Sequence, residues 1–287
     1  MKALNEYSLI DIHYHAEPDL YLRRLNAIEA GKHYQAQDAA VVLKSHLCST
    51  SVQASLCQSQ GLPVLPSLVL NPVAGGIEPS VIIQALAAYK PLIKAHMIVH
   101  FPTITGRQFQ SRLQRQLVYP SLRSELLQAE TLFNEDSQLK KKAVDVLKMA
   151  NDYPIVLSTG HASREETYQL IDACIKYNVR ALLLNQPAHP LMGLKAQELK
   201  EIARHDFVWI EQTLLTYLLG HQSKEDLTEV LCDVPKVMYS SDLGQTNQMN
   251  VKAWFDFTEK LFTELKLSEK RKDEICRENA LAMLTNH

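Results

Sequence analysis

Eight short apolar runs, each bounded by polar, glycine or proline residues, recur along the 287 residues: Leu9–Ile12, Ala39–Leu43, Val64–Leu70, Met97–Phe101, Ile155–Leu157, Val179–Leu184, Phe207–Ile210 and Val237–Tyr239. Between them lie stretches with apolar residues at helical spacing, among them Asp19–Gly31, Pro79–Tyr89, Ser163–Tyr177 and Ala196–His205. Strand alternating with helix predicts an α/β fold with a parallel sheet. A polar or turn residue after each run serves as a marker: His15, His46, Asn71, Pro102, Gly160, Gln186, Glu211 and Asp242. Successive gaps are 31, 25, 31, 58, 26, 25 and 31 residues. All but one of these gaps match one βα unit of roughly 25–35 residues. The expectation is therefore a (β/α)8 TIM barrel in a single domain, 1–287, rather than an open doubly wound sheet. The long gap reads as an excursion after strand 4, residues 103–137. The last apolar periodicity, Ser268–Leu284, reads as a C-terminal helix whose Ile275, Leu281 and Leu284 pack on the barrel wall.

Function in such a barrel sits at the carboxyl ends of the strands. The first run ends Asp11-Ile12-His13-Tyr14-His15. Residues two apart on a strand share a face, so His13 and His15 converge as two ligands of one ion must. Imidazole suits zinc, iron or manganese. His161 follows the fifth run and Asp242 the eighth. With the histidine pair they make a cage for a divalent ion that leaves room for a water, as a catalytic zinc site does. No GxGxxG or GxxxxGK[ST] follows any run, so neither a dinucleotide site nor a P-loop is supported.

Composition removes other classes. Hydrophobic residues make up 46% and charged residues 22%, with a net charge of −2 and no long basic run, so nucleic acid is not an expected partner. No stretch of about 18 apolar residues exists to span a membrane. The opening MKALNEYSL has no apolar core behind its lysine, so no secretory leader is expected. Five widely spaced cysteines without a CxxC pair fit reduced thiols and a cytoplasmic protein.

The segments DIHYHAEPD, VVLKSH, LVLNPVAGG, HFPT, STGHAS and SSDLGQ carry a resemblance to the amidohydrolase superfamily and, within it, to the amidohydrolase-like family DUF6282. That resemblance implies a metal-dependent hydrolase in which His13, His15, His161 and Asp242 are ligands, Asp242 also being the catalytic aspartate. Superfamily members commonly place a further histidine at the end of strand six. Here the text is Asn185-Gln186-Pro187-Ala188-His189-Pro190, and either Gln186 or His189 can stand there. The bridging lysine or acid of binuclear members is missing from strand four, so one ion is expected rather than two. Lys44, on the second strand, is either carboxylated, an ammonium that binds an anionic group, or a structural lysine.

Around this centre, His46, Asn71, Glu211, Gln245 and Arg107 are candidate contacts for substrate. Asn71 precedes the Gly75-Gly76 turn, and Arg107 belongs with Arg112, Arg115 and Arg123 to the excursion, where one arginine could clamp a carboxylate or phosphate. His33, His96, His205, His221 and His287 fall away from the strand ends. The expected activity is attack of metal-activated water on an amide, ester or lactone of a small, anionic or neutral molecule. A PHP-type phosphoesterase and a barrel that only binds ligand are the rivals. Nothing in the sequence speaks against a homo-oligomer.

Overall fold

All eight apolar runs form strands in the computed structural model, which describes residues 2–109 and 111–285. The strands are β1 (Leu9–His15), β2 (Ala39–Lys44), β3 (Val64–Leu65), β4 (Ser67–Val69), β5 (Met97–His100), β6 (Ile155–Ser158), β7 (Leu182–Leu184), β8 (Val208–Thr213) and β9 (Val237–Ser240). The third run gives two strands because Pro66 interrupts it; proline has no N–H to donate to a ladder. The sheet divides there. β1, β2 and β3 form one parallel sheet, and β4 to β9 form a second in chain order. The fold is thus α/β with two parallel sheets, not one unbroken ring of strand pairing. Past β9 the chain returns to β1, where Asp242 N donates to His13 O at 2.9 Å and His15 N donates to Leu243 O at 2.8 Å.

The two sheets share an apolar core. Ile10, Val42 and Leu65 of the first sheet pack with Ile98, Val156, Leu183 and Met238 of the second. Their opposite faces, with Leu9, Val41, Leu43, Val99 and Leu157, meet the helices in a larger cluster. Burying each of these large side chains contributes roughly 1.5–3 kcal/mol. Two residues further along the strands the inner face turns polar, with Lys44, His100, Ser158, Asn185, Glu211 and Ser240 all buried. This polar layer is the floor of the site.

The helices Pro79–Ala87, Arg164–Lys176 and Ala196–Ile202 lie within their expected spans. Asp19–Gly31 does not form as predicted. Its helix starts only at Ala27, where Asn26 accepts from Glu29 N and Glu29 accepts from Asn26 N. Upstream, the Asp19 carboxylate accepts from Leu20 N and His46 N, which holds residues 19–25 in a non-helical loop. From 103 to 140 the helical segments among the described residues are the short turn Pro120–Leu122 and the helix Arg123–Leu126. This stretch is tied to that loop by Leu22 N to Gln116 O (2.9 Å) and Val118 N to Leu20 O (3.1 Å).

The chain ends in helical segments Glu269–Asp273 and Asn279–Thr285, joined by a wider turn over Glu274–Glu278. Met283 and Leu284 join the inner core beside Ile10 and Met238, and Leu281 packs partly buried against it. Ile275 is buried in the outer cluster. No helix among the described residues is long and apolar enough to cross a membrane. All five cysteines are free.

Candidate metal centre

β1 departs from simple alternation, and the departure builds the site. Ile10 and Ile12 belong to the inner core, whereas Asp11 meets Tyr34 of the helix Ala27–Gln35 on the outer face. Strict alternation would put His13 and His15 outside with Asp11. Pairing with β2 instead runs Asp11 to Val41 and then Tyr14 to Leu43, so β1 carries one extra residue. That bulge re-aims the strand. His15 then lies beside Lys44, and both histidines face the polar layer.

There the two imidazoles meet Asp242. His13 Nε2 and His15 Nε2 are 3.2 Å apart, and Asp242 Oδ1 is 3.1 Å from the first and 3.3 Å from the second. Ligands 2.0–2.1 Å from a tetrahedral zinc are separated by about 3.3 Å. The triangle therefore fits one such ion, and all three groups are buried. Burial raises the Asp242 pKa, but the two histidines outweigh it and hold the carboxyl well below its usual range. Asp242 has a positive φ of 52°. Gly244 follows with φ 116°, and a Cβ there would lie 1.8 Å from His15 O. Only glycine allows so close a pass.

His13 and Asp242 are held from behind. Glu211 Oε1 is 2.9 Å from His13 Nδ1. A carboxylate only accepts, so the proton sits on Nδ1 and the Nε2 lone pair is free. Glu211 also accepts from Ser240 Oγ (2.9 Å) and Gln186 N (3.1 Å). Gln186 Nε2 in turn donates to Asp242 Oδ2, so this glutamine grips the carboxylate oxygen that points out of the triangle. Gln245 donates to the Asp242 carbonyl at 2.9 Å.

A second buried group, His15, Asp19 and His46, is also close enough to hold an ion. Its cation position is already filled. The Arg23 guanidinium is 2.5 Å from Asp19 Oδ2 and 3.3 Å from His46 Nδ1. His46 stacks on His15 at 4.7 Å, and burial drives its pKa down to about 3. Its buried ring backs His15 and is not part of the lining of the cleft above Asp242.

Lys44 lies in the polar layer and donates to Asn185 Oδ1 at 2.9 Å. Burial lowers its pKa to about 8 against the opposing charges of Glu211 and Asp242. Asn71 spends its side chain on the loops, accepting from Thr103 N and Ile104 N and donating to His46 O. Arg107 is engaged by Glu166 and the His161 carbonyl.

His161 and His189 stand outside the triangle but line one narrow cleft with Asp242 and Gln186, with about 20 Å³ of open space. Their rings stack at 5.1 Å. Two further histidines were not expected near the site. His221 lines the same cleft, because β8 runs on to Thr213 and the helix Leu214–Leu218 turns the chain back. His100 is buried with its ring 6.3 Å from that of His13. Its Nδ1 pairs with Ser158 Oγ at 2.8 Å, while Nε2 has no hydrogen-bond partner among the described residues. Its signal was the alternation that puts Ile98 and His100 on one face. His33, His96 and His205 do not line this cleft, and His287 lies outside the described residues.

The family of unknown function DUF6282 matches residues 8–211, more than two thirds of the chain. The chain belongs to the DUF6282 family. The match ends at Glu211, so within this DUF6282 chain Asp242 is assigned to the centre by geometry. Two solved structures are similar over nearly the whole length. An amidohydrolase from Pseudomonas aeruginosa covers 97% of this chain and 97% of its own, at 13% identity and a TM-score of 0.57. Amidohydrolase 2 from Bifidobacterium longum subsp. infantis covers 96% and 97%, at 13% identity and a TM-score of 0.48. At such identity the first likeness is one of fold. A comparison with curated proteins returns no match.

Proposed function

We propose that this chain is a metal-dependent hydrolase of the amidohydrolase type, acting on an amide, ester or lactone of a small molecule. In this reading it is one domain whose two sheets close into a (β/α)8 barrel, with 103–137 inserted after the fourth unit. The hydrogen bonds from Asp242 and His15 across the β1–β9 seam support that closure. The observation that carries the function is the buried triangle of two Nε2 atoms and one carboxylate oxygen, 3.1–3.3 Å on edge. His13, His15 and Asp242 would hold one divalent ion, zinc by preference and iron or manganese by the same donors, which would supply Lewis acidity towards a carbonyl oxygen and a bound water.

The chain's own groups do the rest. Glu211 fixes the His13 tautomer. Asp242 Oδ2, turned from the triangle and gripped by Gln186, takes the proton of the attacking water and passes it to the leaving group. Lys44, an ammonium held by Asn185, steadies the negative charge that develops. His161 and His189 face the open side, as a further ligand or as contacts for substrate. A phosphoesterase with several ions is less well supported, since Arg23 fills the second cation position.

The test is elemental analysis of protein purified without added metal. About one equivalent of zinc, iron or manganese is expected, lost in His13→Ala and His15→Ala while the folded circular-dichroism signal stays. A wild-type chain that holds none and takes up none would sink this reading.

A further inference from the structure

Beside the triangle stands the second group, and its geometry is that of a cation site. Asp19 Oδ2 lies 3.6 Å from His15 Nδ1 and 3.4 Å from His46 Nδ1, and all three residues are buried. Two imidazole nitrogens and a carboxylate oxygen are donors that suit zinc. A carboxylate buried between two imidazoles calls for a positive partner. Here that partner is Arg23. Its Nε and Nη2 both converge on Asp19 Oδ2, at 2.6 and 2.5 Å, and Nη2 reaches on to His46 Nδ1 at 3.3 Å. The other oxygen, Oδ1, is held by Leu20 N, His46 N and Ser45 Oγ.

Two further observations give this arginine a role beyond an ion pair. A guanidinium only donates and keeps its charge, so the His46 Nδ1 it meets carries that ring's lone pair. Asp19 Oδ2, which already accepts twice from Arg23, leaves it there. His15 Nδ1 is the second observation. It is buried and has no hydrogen-bond partner among the described residues, and it faces the same oxygen from 3.6 Å, beyond bonding reach. A neutral imidazole has one lone pair. His15 can give it to the triangle through Nε2 or to the second group through Nδ1, and not to both. Arg23 is itself buried, and its backbone is fixed, because Arg24 N donates to Gly244 O at 2.8 Å.

We propose that Arg23 is the resident cation of this second position, a positioning residue that keeps a metal ion from His15 Nδ1 and so reserves His15 for the triangle. The guanidinium neutralises Asp19 without asking His15 for a lone pair, which an ion in its place would do. This sets the ion count of the hydrolase at one and rests on that reading for the ion of the triangle. The exclusion at the second position is independent of it.

Zinc uptake by the full chain tests it, read by elemental analysis and by competition with a chromophoric chelator. The wild type is expected to hold about one equivalent. Asp242→Ala breaks the triangle and should hold none. Adding Arg23→Met opens the second group, and about one equivalent should return, to be lost again when His46→Ala is added. Arg23→Lys in place of Arg23→Met keeps a cation there and should restore nothing. A folded Asp242→Ala/Arg23→Met chain that takes up no zinc overturns the proposal. Uptake that survives His46→Ala, or that appears equally with Arg23→Lys, overturns it too. The wild type gives a second test that needs no variant to fold. By nitrogen NMR on isotope-labelled histidine, the His46 proton is expected on Nε2, and zinc beyond the first equivalent should leave the His46 signals unmoved. A proton on His46 Nδ1, or signals that shift with a second equivalent, overturns the proposal. One equivalent in the wild type and none in the folded double variant defeats this inference alone. A wild type without zinc, beside a double variant that takes it up, defeats the hydrolase reading and leaves this one standing.

Discussion

Glu211 touches His13, Ser240 and the Gln186 backbone at once, so it fixes an imidazole of the triangle, a strand end and a loop with one carboxylate. Glu211→Gln keeps the shape and removes the charge. Outer carboxylates of this kind contribute about 10–100-fold to metal affinity, and a loss of that order is expected, read by competition with a chromophoric chelator. An unchanged affinity would mean that His13 is oriented by packing alone. At this scale His13, His15 and Asp242 were legible in the sequence, because a pair at spacing two and an acid after the last apolar run are local signals. His221 was not, since it reaches the cleft only through the turn-back of the helix after β8. Nor does anything local mark Arg107 among the excursion's arginines as the one that Glu166, 59 positions away, takes. Asp19 was passed over for the same reason, since its partners His46 and Ser45 come from the next strand end.

Among elements, β1 shows where periodicity stops being a sufficient guide. The strand was predictable from Leu9–Ile12, and the shared direction of His13 and His15 from their spacing. Which face they share was not, because the extra residue between Asp11 and Tyr14 reverses the parity that Ile10 and Ile12 establish. Pro66 likewise divides the third strand, a cut that an apolar count passes over. The C-terminal helix was legible as an amphipathic stripe, and its packing now has an address. Met283, fully buried, meets the inner core at the amino ends of the strands, and Asn279 Nδ2 donates to Val237 O at 2.8 Å. Met283→Ala removes side-chain volume from a site that strands wall on one side, so collapse can fill it only partly. A loss of about 2–5 kcal/mol is expected, measured as a lower urea midpoint with an unchanged slope. Metal content should stay as in wild type, because the helix lies at the far end from Asp242.

At the scale of the molecule, the proposed ligands come from the two ends of the fold. His13 and His15 are on β1, and Asp242 follows β9, so an ion among them would cross-link the first strand to the last. That seam otherwise rests on few backbone bonds, including those of Asp242 and His15, without a long strand ladder. An ion that binds only the folded chain stabilises it by mass action, by about 4 kcal/mol at a thousandfold excess over its dissociation constant. In a chain of this size that corresponds to a shift on the order of 10 °C in the melting temperature. Thermal scans with added zinc and after stripping with a chelator should differ by that amount, and restoring zinc should restore the higher value. His15→Ala should melt at one temperature under both conditions. A wild-type chain whose melting is the same with the ion and after its verified removal would show that the seam holds without it, and that the triangle does not join the two ends.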